Sequence, residues 1–422
     1  MYPTVPQSLK NPVFIPDGIQ SILNACHKLY PTQTNPRQVM AQVKFWLGGP
    51  HPLDYVTIYH HEGKKGLCVS HWHYVSMGLS DLHGDGRVHD RRPSSSSSDE
   101  LSGFGFELSF RLKVKIGGET PPLWPVELLQ SIASNIFSSR ANFKPGDYIT
   151  WNSPIDKSQS CILTQLFIIE DPKLSEIQTK VGRVSFFQIV PASMEELNAA
   201  QSWNVMGVVD LMRESILTGG PYQVCDNGRT KTLYQINTTA MTIIKQRLKS
   251  EGNNFSGFST ECHWFDSTGR DIRSLTPVDL LQTGYDSNFA SSSTQLVYSY
   301  VDHPELKRIR EITIALCVEA FLLLPLVLRG RLQHGRHFTF RSSNNEIAIT
   351  LVPEGQEGTL VSPSIPYVAK SCWLQMYTPV SLLDEILIVA DNFYSEYTPE
   401  EKVNLKDLFP FPKYSLILRI DL

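Results

Sequence analysis

The sequence has little charge imbalance and lacks cysteine pairs. Its 38 basic and 42 acidic residues give a formal net charge of −4 over 422 residues. Nucleic-acid-binding chains usually carry a basic face that neutralises phosphates, and because no such patch stands out we expect no direct nucleic-acid partner. The cysteines are odd in number and contain no Cys-x-x-Cys pair, which favours reduced thiols inside the cell over a secreted disulfide framework. They are Cys26, Cys68, Cys161, Cys225, Cys262, Cys317 and Cys372.

Long hydrophobic runs are also scarce. Residues 1–6 lack the basic start and apolar core of a signal peptide. The most apolar run, residues 312–328, is shorter than the ~20 residues that a membrane-spanning helix needs, and Glu319 and Pro325 interrupt it. We therefore expect no membrane association and interpret the run as a buried helix, a turn and a strand. A buried Glu319 would then need a partner such as Arg329.

Catalytic motifs are missing as well. The sequence contains no Gly-x-x-x-x-Gly-Lys phosphate loop, no Gly-x-Ser-x-Gly elbow and no His-Glu-x-x-His helix. These absences remove the positive reason to propose an enzyme, so we expect a binding protein without a cofactor. One alternative stays open: His71 and His73 lie two apart on a predicted strand and could share a Zn²⁺ with His83 or His89 in a metal-dependent enzyme.

The recognisable elements are those of an α+β fold. Apolar residues make up 41% of the chain and aromatic residues 10%, enough for sizeable cores. Periodicity and capping signals predict helices over 17–30, from 124, from 193 towards 217 with a break near Asn204, over 239–249 and over 381–392. Stretches of β-branched and aromatic residues predict strands over 54–61, 71–80, 104–112, 148–152, 162–169, 184–190, 337–341, 347–352, 373–377 and 415–420. This mixture indicates α/β-sheet domains with helical cover.

Two polar stretches are predicted to be flexible insertions. Residues 91–101 contain five consecutive serines, and residues 266–301 have little periodic pattern. We place the domain boundary just before the second of them. The prediction is an N-terminal domain over 1–257 and a C-terminal domain over 258–422.

Six motifs, taken together, resemble the Suppressor of fused family, and in particular an insect member. They are Val-Lys-Phe-Trp-Leu-Gly-Gly-Pro at 43–50, His-Trp-His-Tyr at 71–74, Gly-Leu-Ser-Asp-Leu at 78–82, Gly-Phe-Gly-Phe-Glu-Leu at 103–108, Leu-Arg-Gly-Arg at 328–331 and His-Gly-Arg-His-Phe-Thr at 334–339. Because they occur in both halves, a single-domain, bacterial-type relative is disfavoured. The resemblance implies a negative regulator and corepressor of Hedgehog signalling, acting in cytoplasm and nucleus. Its implied partners are the Gli/Ci transcription factor and the Fused kinase complex.

The resemblance also implies a binding site between two domains. A Ser-Tyr-Gly-His-Leu segment of the partner adds there as a strand, so that main-chain hydrogen bonds give affinity and side-chain pockets give selectivity. In the first domain, the positions that match are Phe143, Asp147, Tyr148 and Ile149. In the second domain, they are Phe258, Ser259 and Thr260.

Three further positions complete the implied site. Asp147 should receive the histidine of the segment with Glu319 close by, and Leu323 should line the apolar pocket. Vertebrate members carry tyrosine where this chain has Asn135 and smaller apolar residues at Phe258 and Thr260. The resemblance therefore implies an apolar wall that differs from theirs.

Overall fold

The computed structural model describes residues 15–89, 100–115, 117–266, 306–342, 347–396 and 407–420. The chain forms two compact units. The first unit runs to Ala200 and includes Asn204–Thr242, and the second comprises Gln201–Trp203 and the chain from Ile243 onward. The boundary predicted at 257/258 stays a prediction. Most of the two predicted insertions lies outside the described residues.

The first unit is built on an eight-stranded mixed sheet. Its strands are β1 (Arg37–Met40), β2 (Tyr55–His61), β3 (His71–Met77), β4 (Leu101–Lys113), β5 (Tyr148–Ile149), β6 (Gln165–Glu170), β7 (Ile177–Thr179) and β8 (Gly182–Ala192). The order is β1-β2-β3-β4-β8-β6-β5, with β7 beside β8. Strands β4 and β8 run parallel, and the other neighbours are antiparallel.

Helices α1 (Asp17–Leu29) and α2 (Trp124–Ser139) cover the two faces of this sheet. Helices α3 (Met194–Ser202), α4 (Val205–Arg213) and α5 (Leu233–Ile236) follow the last strand, and most of α6 (Ala240–Glu251) belongs to the second unit. Side chains alternate between the two faces of a strand. Accordingly, Val75 of β3 shares a core with Ile22 of α1, while the adjacent Tyr74 shares a different core with Leu129 of α2.

The capping signals predicted for residues 193–217 are confirmed. The N–H of Ser193 donates to Oε2 of Glu196 at 2.8 Å, and the N–H of Glu196 donates to Oγ of Ser193 at 3.3 Å. This reciprocal pair begins α3. The predicted break follows, because Asn204 has an extended backbone and its side chain accepts the N–H of Gly207 to begin α4.

The second unit contains two sheets and a shared core. Its strands are β9 (Gly257–Ser259), β10 (Cys262–Asp266), β11 (Leu306–Ile309), β12 (Ile312–Leu316), β13 (Phe338–Arg341), β14 (Ala348–Pro353), β15 (Tyr367–Lys370), β16 (Trp373–Thr378), β17 (Asp407–Phe411) and β18 (Leu416–Ile420), and its own helices are α7 (Val318–Gly330) and α8 (Val380–Glu396). The sheet orders are β11-β15-β16-β14-β13-β9 and β10-β12-β18-β17. The short segment at 201–203 contributes a buried Trp203, whose carbonyl accepts the N–H of Asn254 at 2.9 Å.

The apolar run at 312–328 corrects one prediction. It forms strand β12 and then helix α7, which is the reverse of the predicted order, and Pro325 lies inside α7 rather than ending it. The first residues, Ile-Thr-Ile, are β-branched and favour a strand, whereas Ala-Phe-Leu-Leu-Leu after Cys317 suits a helix. Among the described residues, no helix is both long and apolar enough to span a membrane.

A buried ion pair ties the first unit together. Nη2 of Arg111 lies 2.7 Å from Oδ1 of Asp171, and both side chains are 0% exposed. Asp171 also accepts hydrogen bonds from Oγ of Ser109 at 2.6 Å and from Nε2 of His73 at 3.1 Å. Nδ1 of His73 then accepts the hydroxyl of Tyr30 at 2.8 Å. The cluster therefore joins β3, β4, the segment after β6 and the end of α1.

The charges in this cluster follow from burial and pairing. Burial alone would raise the pKa of Asp171, but Arg111 and His73 hold it well below its usual range. Burial lowers the pKa of His73 to about 4, so this imidazole is neutral at pH 7. One carboxylate and one guanidinium thus balance each other in the buried interior, where an unpaired charge is costly.

We predict that Asp171→Asn lowers the free energy of unfolding by about 3–5 kcal/mol, because it leaves the buried charge of Arg111 without a partner. Urea denaturation of the full chain measures this. The matched control is Asp226→Asn, which removes the exposed ion pair with Lys113 on β4. It should cost less than about 1 kcal/mol. Equal losses in the two variants would contradict the assignment.

Candidate functional site

In the first unit, the predicted binding strand is β5, the last strand of the described sheet. It pairs antiparallel with β6 over Tyr148 and Ile149 only, so it is shorter than the predicted 148–152. Asp147 stands just before it in a tight turn, in which Oδ2 of Asp147 accepts the N–H of Lys144 at 2.7 Å. Asp147, Tyr148 and Ile149 are half-buried. The turn fixes the Asp147 carboxylate at the start of the edge.

Two of the predicted site residues in the first unit pack against its core, and a third is exposed. Phe143 and Ile149 are partly buried and pack against the core of the first unit. Asn135 lies on α2 and is exposed, and its main-chain carbonyl accepts the hydroxyls of Ser138 and Ser139 at 3.0 and 2.7 Å. The surface is therefore polar at Asn135. The family resemblance places a tyrosine at this position in vertebrate members.

In the second unit, the predicted binding strand is β9, which is the last strand of the six-stranded sheet within the described residues. It runs parallel to β13. The N–H of Thr339 donates to the carbonyl of Ser256 at 3.1 Å, and the N–H of Thr260 donates to the carbonyl of Arg341 at 2.8 Å. These two bonds fix the register of the whole strand.

The register determines which main-chain groups of β9 face outward. Bonds to one neighbouring strand come from every second residue. Because Ser256 and Thr260 bond to β13, Phe258 between them does so too. Gly257 and Ser259 consequently direct their N–H and C=O groups to the opposite side, and both residues are exposed. Gly257, which the prediction left out, thus offers main-chain groups as Ser259 does.

The side chains of Phe258 and Thr260 support β9 from the unit's interior. Phe258 packs against the core cluster beside Phe255, with ring centroids 6.2 Å apart. Thr260 is buried, and its Oγ1 lies 2.8 Å from Sγ of Cys317. Since Cys317 directly precedes α7, this contact places the end of β9 beside the first turn of that helix.

Glu319 lies in that first turn, and its setting differs from the expectation. It is exposed rather than buried in the apolar run, and it forms no hydrogen bond or ion pair with any described residue. Arg329, its expected partner, binds Asp391 instead. The helix dipole stabilises an acid at this position, so Glu319 needs no cation. Leu323 lies one turn later on the same face, half-buried against the core.

The histidines of the alternative zinc site do not converge. Both ring nitrogens of His73 bind the protein, as described above. Nε2 of His83 lies 3.6 Å from Asp54, and the ring of His89 packs between Phe104 and Phe137. Within the described residues, no group of three or more possible metal ligands includes His73, His83 or His89. The predicted catalytic zinc centre is therefore wrong as composed.

These features define a class: a two-unit α+β protein with short open strand edges and acids placed beside them. Family models match both halves of the chain. Residues 49–230 match "Suppressor of fused protein (SUFU)", and residues 242–420 match "Suppressor of Fused Gli/Ci N terminal binding domain". The chain belongs to the Suppressor of fused family, which is regulatory and is not known as a family of enzymes.

Comparisons with individual proteins support the same family. The Suppressor of fused homolog of Homo sapiens is 36% identical over 455 residues, covering 96% of this chain and 91% of the human protein, and that of Mus musculus is 35% identical over the same lengths. The crystal structure of Drosophila Suppressor of Fused matches with a TM-score of 0.81 at 28% identity and covers 98% of this chain and 99% of that one. The predicted α+β fold is confirmed.

A complex structure matches part of the chain. The Sufu–Fu complex structure matches with a TM-score of 0.52 at 37% identity and covers 54% of this chain and 97% of the matched one. The matched protein is thus one that has been solved together with a partner.

Proposed function

We propose that this chain is a negative regulator of Hedgehog signalling that binds a Gli/Ci transcription factor and catalyses nothing. The observation that carries the proposal is the outward-facing main chain of Gly257 and Ser259. It lies in the half of the chain whose family description names Gli/Ci binding. Open edge groups bind an extended segment largely independently of its sequence, and pockets nearby supply selectivity.

The bound segment in this proposal is Ser-Tyr-Gly-His-Leu, added as a strand to β5 of the first unit and β9 of the second. Asp147 receives the histidine, and Glu319 adds a second negative charge. A carboxylate near an imidazole favours its charged form, and charge-assisted hydrogen bonds are stronger than neutral ones. The exposed, unpartnered Glu319 and the half-exposed Asp147 support these roles, since neither acid is neutralised by a described cation.

Partly buried apolar side chains of this chain are proposed to contact the apolar residues of the segment. Leu323 and Phe258 are both half-buried against the second unit's core, and Phe143 is half-buried against that of the first. Partly exposed apolar side chains on a rigid base suit the tyrosine and leucine of the segment. The exposed Asn135 makes one side of the surface polar.

In the cell, the proposed regulator would act on the captured factor in two compartments. A captured factor would be retained in the cytoplasm and repressed in the nucleus, with this chain as a corepressor. The Fused kinase complex is proposed as a second partner, supported by the 37% identical match to the Sufu–Fu complex structure. The charge balance and the described helices supply no support for nucleic-acid or membrane partners.

We predict that Asp147→Arg weakens binding of a Ser-Tyr-Gly-His-Leu peptide at least tenfold. A hydrogen bond to a charged group contributes about 1.5–3 kcal/mol, and arginine adds repulsion towards the histidine. Fluorescence anisotropy measures the affinity, and Asp210→Arg on the exposed side of α4 is the charge-matched control. With a peptide carrying alanine instead of histidine, the Asp147→Arg effect should be much smaller. An equal effect on both peptides, with melting intact, would remove the histidine assignment.

We predict that Ser259→Pro weakens binding of the same peptide by about threefold to tenfold. This loss corresponds to one hydrogen bond of about 0.5–1.5 kcal/mol. Proline removes the outward N–H of residue 259 but none of the bonds to β13, and edge strands accept it at such positions. Ser259→Ala keeps that N–H and should bind as the parent chain does. If Ser259→Ala were as weak as Ser259→Pro, the hydroxyl rather than the main chain would make the contact.

A further inference from the structure

Three possible metal ligands lie close together on the hairpin formed by β2 and β3 in the first unit. They are His61, Cys68 and His71, and their ligand atoms all lie within 4.8 Å of one another. His61 ends β2 and faces His71, which begins β3. Cys68 lies in the connecting turn, where it exchanges main-chain hydrogen bonds of 2.9 and 3.0 Å with Lys64. A single local hairpin therefore supplies all three groups.

Both imidazoles bond through Nδ1 to a main-chain carbonyl, which leaves Nε2 as the nitrogen that could bind a metal ion. Nδ1 of His61 lies 2.7 Å from the carbonyl of Glu62, and Nδ1 of His71 lies 2.8 Å from the carbonyl of Val69. A carbonyl only accepts, so each Nδ1 carries the proton and each Nε2 carries a lone pair, which in His71 accepts a hydrogen bond from Arg111. The rings stack with centroids 4.6 Å apart and planes 12° apart. Metal-binding histidines almost always have their second nitrogen bound in this way.

We infer that His61, Cys68 and His71 form a Zn²⁺ site of the His₂Cys type, with water as the fourth ligand. Zinc–nitrogen and zinc–sulfur bonds of about 2.0–2.1 and 2.3 Å put tetrahedral ligand atoms about 3.3–3.6 Å apart. The ligand atoms therefore need to approach one another by up to about 1.5 Å. Cys68 is in a turn and His61 is only partly buried, so both can adjust, and His61 marks the side open to solvent.

The ligand types select the metal. The cluster contains one thiol, two imidazoles and no carboxylate. Thiolate and imidazole together suit zinc and related soft ions, whereas calcium and magnesium require oxygen ligands. The site would close the turn between β2 and β3 and would hold the hairpin together.

The guanidinium of Arg111 lies close to the site and would repel a bound zinc ion, but its other hydrogen bonds limit this repulsion. Nη1 of Arg111 lies 3.3 Å from Nε2 of His71, so zinc would displace a long hydrogen bond. Arg111 keeps its shorter bonds, at 2.7 Å to Asp171 and at 3.0 Å to Gln188. Asp171 balances the charge of Arg111, and the Cys68 thiolate would reduce the net charge of the zinc site to +1. A second cation, Lys173, lies over the ring of Tyr222 beside the cluster.

Titration of the metal-free full chain with Co²⁺ tests the site. We expect one Co²⁺ per chain, with visible bands of a tetrahedral ion and a thiolate-to-cobalt charge-transfer band. Zn²⁺ should abolish these bands and raise the melting temperature. Cys68→Ser should lose both the charge-transfer band and the rise in melting temperature. Cys372→Ser, which changes a partly exposed cysteine in the second unit, should retain both.

A second pair of variants keeps the test independent of folding. His61→Gln changes the half-buried ligand and should weaken Co²⁺ binding at least tenfold. His60→Gln changes the neighbouring histidine, which binds Ser70 instead, and should leave Co²⁺ binding unchanged. Circular dichroism without metal verifies that each variant is folded. Absence of a charge-transfer band in the parent chain, or its persistence in folded Cys68→Ser, would overturn the inference.

Discussion

A sheet must satisfy the main-chain hydrogen bonds of each of its strands, and an edge strand satisfies only those on its inner side. In this chain that constraint shapes both candidate binding strands. Strands β5 and β9 span two and three residues, and such short edges limit unwanted pairing with other chains. The parallel register of β9 on β13 leaves Gly257 and Ser259 facing outward. The function proposed here uses the groups that the fold leaves unsatisfied.

Acidic residues serve two different purposes in the molecule, and burial separates them. Asp171 is enclosed and has a guanidinium, an imidazole and a hydroxyl as partners, because a buried charge without partners would destabilise the fold. Glu319 is exposed and unpaired among the described residues. Solvent and the helix dipole keep its charge acceptable, so it is available to a ligand. The same residue type is thus structural in one setting and a candidate contact in the other.

Much of the fold could be predicted from local signals in the sequence. The Ser193–Glu196 capping box and the break at Asn204 lie where predicted, since each depends on residues three positions apart. Short strands such as β1 and β7 were missed, because their stability comes from neighbours in the sheet and not from their own pattern. The order of elements in the run at 312–328 was wrong, because its β-branched start forms a strand and Pro325 lies inside the helix that follows.

The site was less predictable than the fold. Strand alternation placed His71 and His73 on one face, yet the partners of His73 are Tyr30 and Asp171, which are distant in sequence. The apolar neighbours of Glu319 indicated burial, whereas its position in the first turn of a helix exposes it. The outward-facing groups of β9 depend on pairing with β13, some 80 residues later in the chain. No local pattern carries that information.

The chain passes between the two compact units more than once, since Gln201–Trp203 belongs to the second unit although its flanking residues belong to the first. A single cut therefore cannot separate them. A recombinant fragment that starts at residue 242, where the second family match begins, lacks Trp203. It would lose this buried side chain and leave the amide of Asn254 without its acceptor, the carbonyl of Trp203. Fragments of this protein need either the intact chain or a grafted tryptophan segment to represent the native second unit.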